Sequence, residues 1–256
     1  MKPYQFVSLK ESDGLAVLTL NRPPVNVLNI AMMQEISHAL AELYANASAR
    51  ALLIRGEGKC FSAGMDVGDH MPEKVEHMMR EMHTMFERLA VLEIPTVSSV
   101  HGSAMGGGLE LAAFADMMFA AAGTKLGVPE IKLGVFPPIA VASFIDMIGP
   151  KLTYEMVLTG RTFFAEEALR MGMVNAVYPQ EELDARVDEV MRVLAGLSRP
   201  VLVAAKKALR TVAGMPVFEA LHDAEHIYMN EVMTTHDAAE GLRSFLEKRQ
   251  PQWKHK

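Results

Sequence analysis

The chain lacks most of what fastens or charges a protein from outside its core. It has one cysteine, Cys60, which excludes an internal disulfide framework and any cysteine-built metal cage. The flanking "GKCFSAG" offers no base to that thiol, so a buried structural cysteine is the favoured reading over a catalytic one. Of nine histidines, His70, His77 and His83 fall in a Met-rich segment at intervals of 7 and 6. The i, i+4 spacing that brings two metal ligands onto one helix face is missing, and these three read as surface or packing residues. There is no excess of positive charge: 25 basic residues stand against 31 acidic ones, mixed along the chain, for a net charge of −6. A nucleic-acid partner and a polybasic membrane anchor are both disfavoured. No apolar run reaches the roughly 18 residues needed to span a bilayer, and no apolar stretch near the start follows a charged segment. The expected location is the cytoplasm, although a processed organellar protein would read the same way.

Half of the 256 residues are hydrophobic, enough for one large core, or a core with a small appended piece. "AVLTLNRPP" reads as a strand stopped by polar residues and two prolines, "NIAMMQEISHALAELYAN" as a helix, and "RALLIRGEG" as a short strand ended by glycines. "IPTVSSVHG" repeats the strand pattern, and a long helical pattern is expected after its glycines. "ADMMFAAAGTKLGVPEIKLG" then reads as one or two short strands with turns. Such alternation predicts an α/β core with parallel strands joined by helices. After about residue 180 the segments "ELDARVDEVMRVLAGLS", "PVLVAAKKALRTVAG" and "AAEGLRSFLEKRQPQ" are helical, separated by Pro or Gly. The chain divides into a core over 1–195 that holds the site and a helical region over 196–256, with no low-complexity linker between them.

Two glycine-rich turns stand out, "FSAGMD" at 61–66 and "GGGLE" at 106–110. Glycine allows positive φ and close approach of backbone to ligand, leaving peptide N–H groups free to point outward. Two such turns brought together could grip one oxygen, helped by the positive end of a helix starting at the second. Taken singly, each turn reads equally well as a mere change of chain direction. Glu110 lies in the first turn of that helix among Leu109, Leu111, Ala112, Ala113 and Phe114. A first-turn glutamate interacts well with the helix dipole, but a carboxylate buried without a cation costs stability and has its pKa raised. Glu130, in "GVPEIKLG", is 20 residues further on and again has apolar neighbours apart from Lys132. Two carboxylates in apolar settings suggest paired acid and base work.

In order along the chain, "LTLNRPPVNVLN", "FSAGMDV", "IPTVSSVHGSAMGGGLELAAFADMMFA", "GVPEIKLGVFP", "LTGRTFFAEEALRMGMVNAVYP" and "AAEGLRSFLEKRQPQ" resemble the enoyl-CoA hydratase/isomerase (crotonase) family. The resemblance implies a spiral of β-β-α repeats, with the helical tail completing a homotrimer or homohexamer. It also implies a coenzyme A thioester as substrate and no cofactor. By position, the N–H groups of Met65 and Gly107 would form an oxyanion hole, and substrate contacts would fall at Val25, Val27, Asp66, Val67 and Gly68. Hydratases of the family use both glutamates, here Glu110 on the attacking water and Glu130 as proton donor; isomerases commonly use the second alone. An inactive scaffold or an RNA-binding homologue is the non-enzyme alternative, disfavoured by both retained glutamates and the acidic balance.

The sequence also departs from the family pattern. Where many members carry a lysine after the oxyanion turn, "MDVGDH" has Gly68 and Asp69. In "LGVFPPIAVASF", Pro138 fixes φ where a flexible position is common, and Phe136, Ile139 and Val141 are expected to make the acyl wall rigid and apolar. "PEIKLGVFPP" and "FSAGMDVGDHMPEKVE" are similar to the cyclic dienoyl-CoA hydratases of anaerobic aromatic degradation.

Overall fold

The computed structural model describes residues 4–45 and 48–256. Strands β1 (Val7–Ser12) and β2 (Leu15–Leu20) pair antiparallel around Asp13 and Gly14, which both take positive φ, as a tight Asp-Gly hairpin requires. Helix α1 (Ile30–Ala45) returns the chain to β3 (Ala51–Gly56), parallel to β2. Then follow α2 (Val75–Val91), β4 (Thr96–Val100), β5 (Ser103–Met105), α3 (Gly107–Ala113), β6 (Met117–Ala121) and β7 (Lys125–Gly127). The order continues with α4 (Pro138–Ile148), α5 (Pro150–Thr159), β8 (Thr162–Phe164), α6 (Ala165–Met171), β9 (Ala176–Tyr178) and α7 (Leu183–Ala195). The C-terminal part is helical: α8 (Arg199–Thr211), α9 (Val217–Ile227) and α10 (His236–Leu246).

Six strands form one sheet in the order β1-β2-β3-β4-β6-β9, parallel from β2 onward, while β5, β7 and β8 form a second. The chain visits both sheets on each pass. It runs β4-β5-α3, then β6-β7-α4, and the pass before these runs from β3 through Ser62, which bridges Ala104 in β5, to α2. This is the spiral of β-β-α repeats that the resemblance implies.

Strand alternation sorts the core into two layers. In β3, Leu52 and Ile54 face the main core with Met32, Ile36 and Phe86, whereas Ala51 and Leu53 face α7 through Leu183, Val187 and Met191. Burying each large side chain contributes about 1.5–3 kcal/mol.

The long helix expected after the glycines is not there: α3 has seven residues. It stops because Asp116 is needed at the sheet, where its carboxylate accepts from both the N–H and the hydroxyl of Thr96, at 2.7 and 2.9 Å, as the chain enters β6. Lys206 on α8 ties the helical tail to the same place through an ion pair with Asp116 and a 2.7 Å bond to the Ile94 carbonyl. Among the described residues no helix is long and apolar enough to cross a membrane.

Candidate active site

The first glycine turn is held by the loop before α1. Asn26, buried and at a φ of 52°, donates through Nδ2 to the carbonyls of Glu57 and Cys60, each at 2.9 Å. Its own carbonyl accepts from the Ser62 hydroxyl at 2.7 Å. The Leu28 N–H donates to Gly64 O at 2.8 Å and the Asp66 N–H to Leu28 O at 2.9 Å. In this parallel bridge between Leu28 and Met65, the bonds use the peptide groups on either side of Met65, so its own N–H points away from Leu28.

The second turn packs against the first. Gly107 opens α3, so its N–H has no carbonyl one turn back to bond. A Cβ at Gly107 would come within 2.6 Å of the Met65 side chain, and one at Gly108 within 2.7 Å of Ser62. Gly106, at a φ of 50°, spends its N–H on Gly127 O at 2.8 Å, and a Cβ there would collide with the Glu130 carboxylate. Bare backbone is therefore required where the turns meet.

Three hollows adjoin, and Met65 lines all of them. An outer one of about 480 Å³ includes Arg22, Val27, Asp66 and Val67. A middle one of about 280 Å³ has Gly64, Gly106, His70 and Glu130. An inner one of about 300 Å³ carries both Glu110 and Glu130 in an otherwise largely apolar wall. The two glutamates, on α3 and on the turn Pro129–Leu133, thus share one chamber.

Their environments differ. Glu110 is 2 % exposed, and its Oε1 accepts the Ala140 N–H at 2.8 Å. Ala140 lies in the first turn of α4, so the carboxylate serves the N-terminus of α4, not the dipole of its own helix. Burial outweighs this help and the charge of Glu130 adds to it, lifting the carboxyl from 4.5 to about 7. The Glu130 carboxyl is also raised, chiefly by burial, against the opposing pull of a backbone N–H and of nearby His70. Its Oε2 is buried with no hydrogen-bond partner. Among the described residues no three His, Cys, Asp or Glu side chains gather as metal ligands would.

Several expected site residues lie elsewhere or act differently. The Val25 carbonyl accepts the Ala63 N–H at 2.9 Å, and the residue ties the two loops together without lining any of these three hollows. Val27 does line the outer hollow, with its carbonyl taken by Arg22 Nη1 at 2.8 Å. Asp66 accepts the Gly68 N–H at 3.0 Å, capping the short helical turn Val67–His70, and pairs with Arg22 at 3.5 Å; Gly68 itself is exposed and lines none of the three hollows. Phe136 and Pro138 line the inner chamber, but Ile139 packs against the core and Val141 is exposed. Helix phase explains the difference, because α4 begins at Pro138 and turns successive side chains to different sides. Met78, Met79 and Met82 of α2 complete the wall in their place. His70, read from spacing as a surface or packing residue, lines both the middle and inner hollows. Metal-ligand spacing could not reveal it. The available signal was its place four residues after Asp66, in the segment leaving the first glycine turn.

The enoyl-CoA hydratase/isomerase family model matches residues 10–256. The chain belongs to that family. This family member is 33% identical over 252 residues to cyclohexa-1,5-dienecarbonyl-CoA hydratase of Thauera aromatica, covering 98% of this chain and 96% of that one. It is 34% identical to a probable enoyl-CoA hydratase of Mycobacterium leprae, over 99% of both chains. Among solved structures, enoyl-CoA hydratase from Bacillus anthracis superposes with a TM-score of 0.93 at 28% identity, covering 98% of this chain and 100% of that one. The crotonase fold therefore holds across the whole chain.

Proposed function

We propose that the protein is a hydro-lyase that adds water across a conjugated C=C of an acyl-CoA thioester. The observation that carries this reading is the placement of two raised carboxylates on one apolar chamber beside the paired glycine turns. The Met65 and Gly107 N–H groups hold the thioester oxygen as it gains enolate charge; losing one such donor typically costs about 3 kcal/mol of transition-state stabilisation. Ionised Glu110 takes a proton from water while the oxygen bonds to the β-carbon. Glu130 gives its proton to carbon, so that one water is consumed and one proton has moved from Glu130 to product and one from water to Glu110. A base titrating at about 7 is matched to neutral pH, strong enough to accept a proton and substantially ionised. No cofactor enters the scheme. The outer hollow takes the coenzyme A moiety, with Arg22 supplying the cation that the absent lysine does not.

Within this reading the acyl group is a cyclic diene, cyclohexa-1,5-diene-1-carbonyl-CoA. The name of the Thauera relative supports it, as does a chamber closed by Pro137 and Pro138 on one side and three methionines on the other. Water then attacks the ring β-carbon under Glu110 and the proton goes to the far end of the diene. Isomerisation is the second reading, but it leaves Glu110 without a task. The protein works as a homotrimer or homohexamer, a proposal supported by the unpartnered apolar side chains Phe218, Leu221, Phe245 and Leu246 in the helical tail.

Hydration in deuterium oxide tests the substrate, with crotonyl-CoA and the cyclic dienoyl-CoA compared and the deuterium located by NMR. Turnover of the diene with deuterium at the remote ring carbon is expected. Preference for crotonyl-CoA with deuterium at the α-carbon would return the protein to linear-chain hydration, and turnover of neither would overturn the hydratase reading.

A further inference from the structure

The mechanism above leaves one ionisable side chain of the chamber without a task. His70 lines both the middle and inner hollows, as do Met65, Glu130 and Val135, so imidazole and carboxylate flank the same passage. Its ring is fixed: Nδ1 is 3.0 Å from the Asp66 carbonyl, an atom that can only accept, so Nδ1 carries a hydrogen. The variable proton is therefore the one on Nε2. On the same two hollows, Glu130 Oε2 is buried and has no partner.

We propose that His70 is a positioning and proton-relay residue for Glu130, returning a proton from its Nε2 to the Glu130 carboxylate after each turnover. This rests on the reading of Glu130 as proton donor. Once product has formed, Glu130 is ionised and Glu110 is protonated. Imidazolium then loses its Nε2 proton to Glu130, and the half-buried ring recovers one from solvent. Glu110 releases its own proton, so the enzyme ends as it began. The other charged groups near His70 are already engaged or more distant. Asp66 is held by Arg22, Asp69 by Lys74 at 3.3 Å and by the Ile30 N–H, and Glu110 by Ala140. The influence of His70 on the Glu130 carboxyl is in the expected direction, holding it below where burial alone would put it.

The test compares the whole protein with His70→Asn, whose amide N–H can still donate to the Asp66 carbonyl, and His70→Gln, whose amide sits near the Nε2 position but does not titrate. In glutamate labelled with 13C at the carboxyl, and without substrate, the Glu130 resonance is assigned by its absence in Glu130→Gln and followed against pH. The native protein should show a Glu130 curve with a second step that tracks the imidazole. In both His70 variants that step should vanish and the carboxyl should titrate at higher pH. With substrate, kcat should fall by at least tenfold and lose its imidazole-dependent limb while KM is little changed. Unaltered Glu130 titration in both variants would overturn the inference, and so would an unaltered kcat profile. If one variant does not fold, the other decides. The NMR result does not depend on turnover, so a failure of the hydratase reading would be seen separately.

Discussion

Two carboxylates in this molecule are equally closed to solvent and behave in opposite ways. Asp237, at the start of α10, is 1 % exposed, and Glu110 in the chamber is 2 % exposed. Burial pulls both upward, yet Asp237 ends below its ordinary value because donors surround it: the Ser198 hydroxyl at 2.7 Å and the N–H groups of Lys254 and His255 at 2.8 and 2.9 Å. Glu110 has the α4 N-terminus on one side and a hollow shared with Glu130 on the other, and rises to about 7. Closure to solvent alone therefore does not set the acidity of a buried acid. Asp237 lies under a thin cover with donors around it, whereas Glu110 sits deep in the protein with few. The saturated carboxylate fixes the end of the chain, and the undersupplied one is left reactive.

The sharpest way to break this contrast is to remove ionisation from the chamber. Glu110→Gln and Glu130→Gln should each lower kcat by at least a thousandfold with acyl-CoA binding within a few-fold of native, measured by steady-state kinetics and calorimetric titration. Near-native turnover in either would take that glutamate out of the reaction. Next in size is Asp237→Asn. Its amide must point an N–H at a group that already donates, and the loss of a charged acceptor should cost about 3 kcal/mol by denaturant unfolding, with kcat per folded molecule retained. A variant of native stability would mean that the donors do not hold this carboxylate.

The smallest effect is a gain. Unfolded Glu110 ionises near 4.5 and the folded residue near 7, so ionisation opposes folding. Its cost is absent below about pH 4.5, grows between the two values and is complete above about pH 7, reaching roughly 3 kcal/mol. Glu110→Gln keeps an oxygen for Ala140 and should be more stable than native at pH 8, with the advantage disappearing at pH 4. Equal stability at both pH values would contradict the raised pKa.

Glu110, Glu130 and the two glycine turns were legible because their chemistry lies in runs where an acid or a cluster of glycines is locally out of place. The segments of β2, α1, β3, β4, β6 and β7 were legible from period, whereas β1, α2, α4, α5, β8, α6 and β9 were not read individually. The length of α3 was not legible, since Asp116 ends it through a bond to Thr96, 20 residues earlier in the chain. His70, on the turn before α2, was missed because metal-ligand spacing does not reveal it, and the methionine wall was missed for another reason. Apolar helical spacing in "VEHMMREMHTMF" marks a buried face but does not distinguish packing against core from lining a chamber. That Phe136 borders the chamber and Val141 does not depends on where α4 starts, which is at Pro138 with Glu110 accepting from its first turn.

The bridge between Ser62 and Ala104 has a geometric consequence for the two proposed oxyanion donors. Met65 and Gly107 each lie three residues beyond a member of that pair. Both donors are thus measured from one rung of a backbone ladder whose rails stand about 4.8 Å apart, a ruler that no side chain can stretch. Ala104 in turn pairs with Leu126, and three residues beyond Leu126 the next repeat has Pro129, which has no N–H to offer. The repeating chain therefore offers two such peptide groups and ends the series there, and the residue that follows is Glu130, the proposed acid.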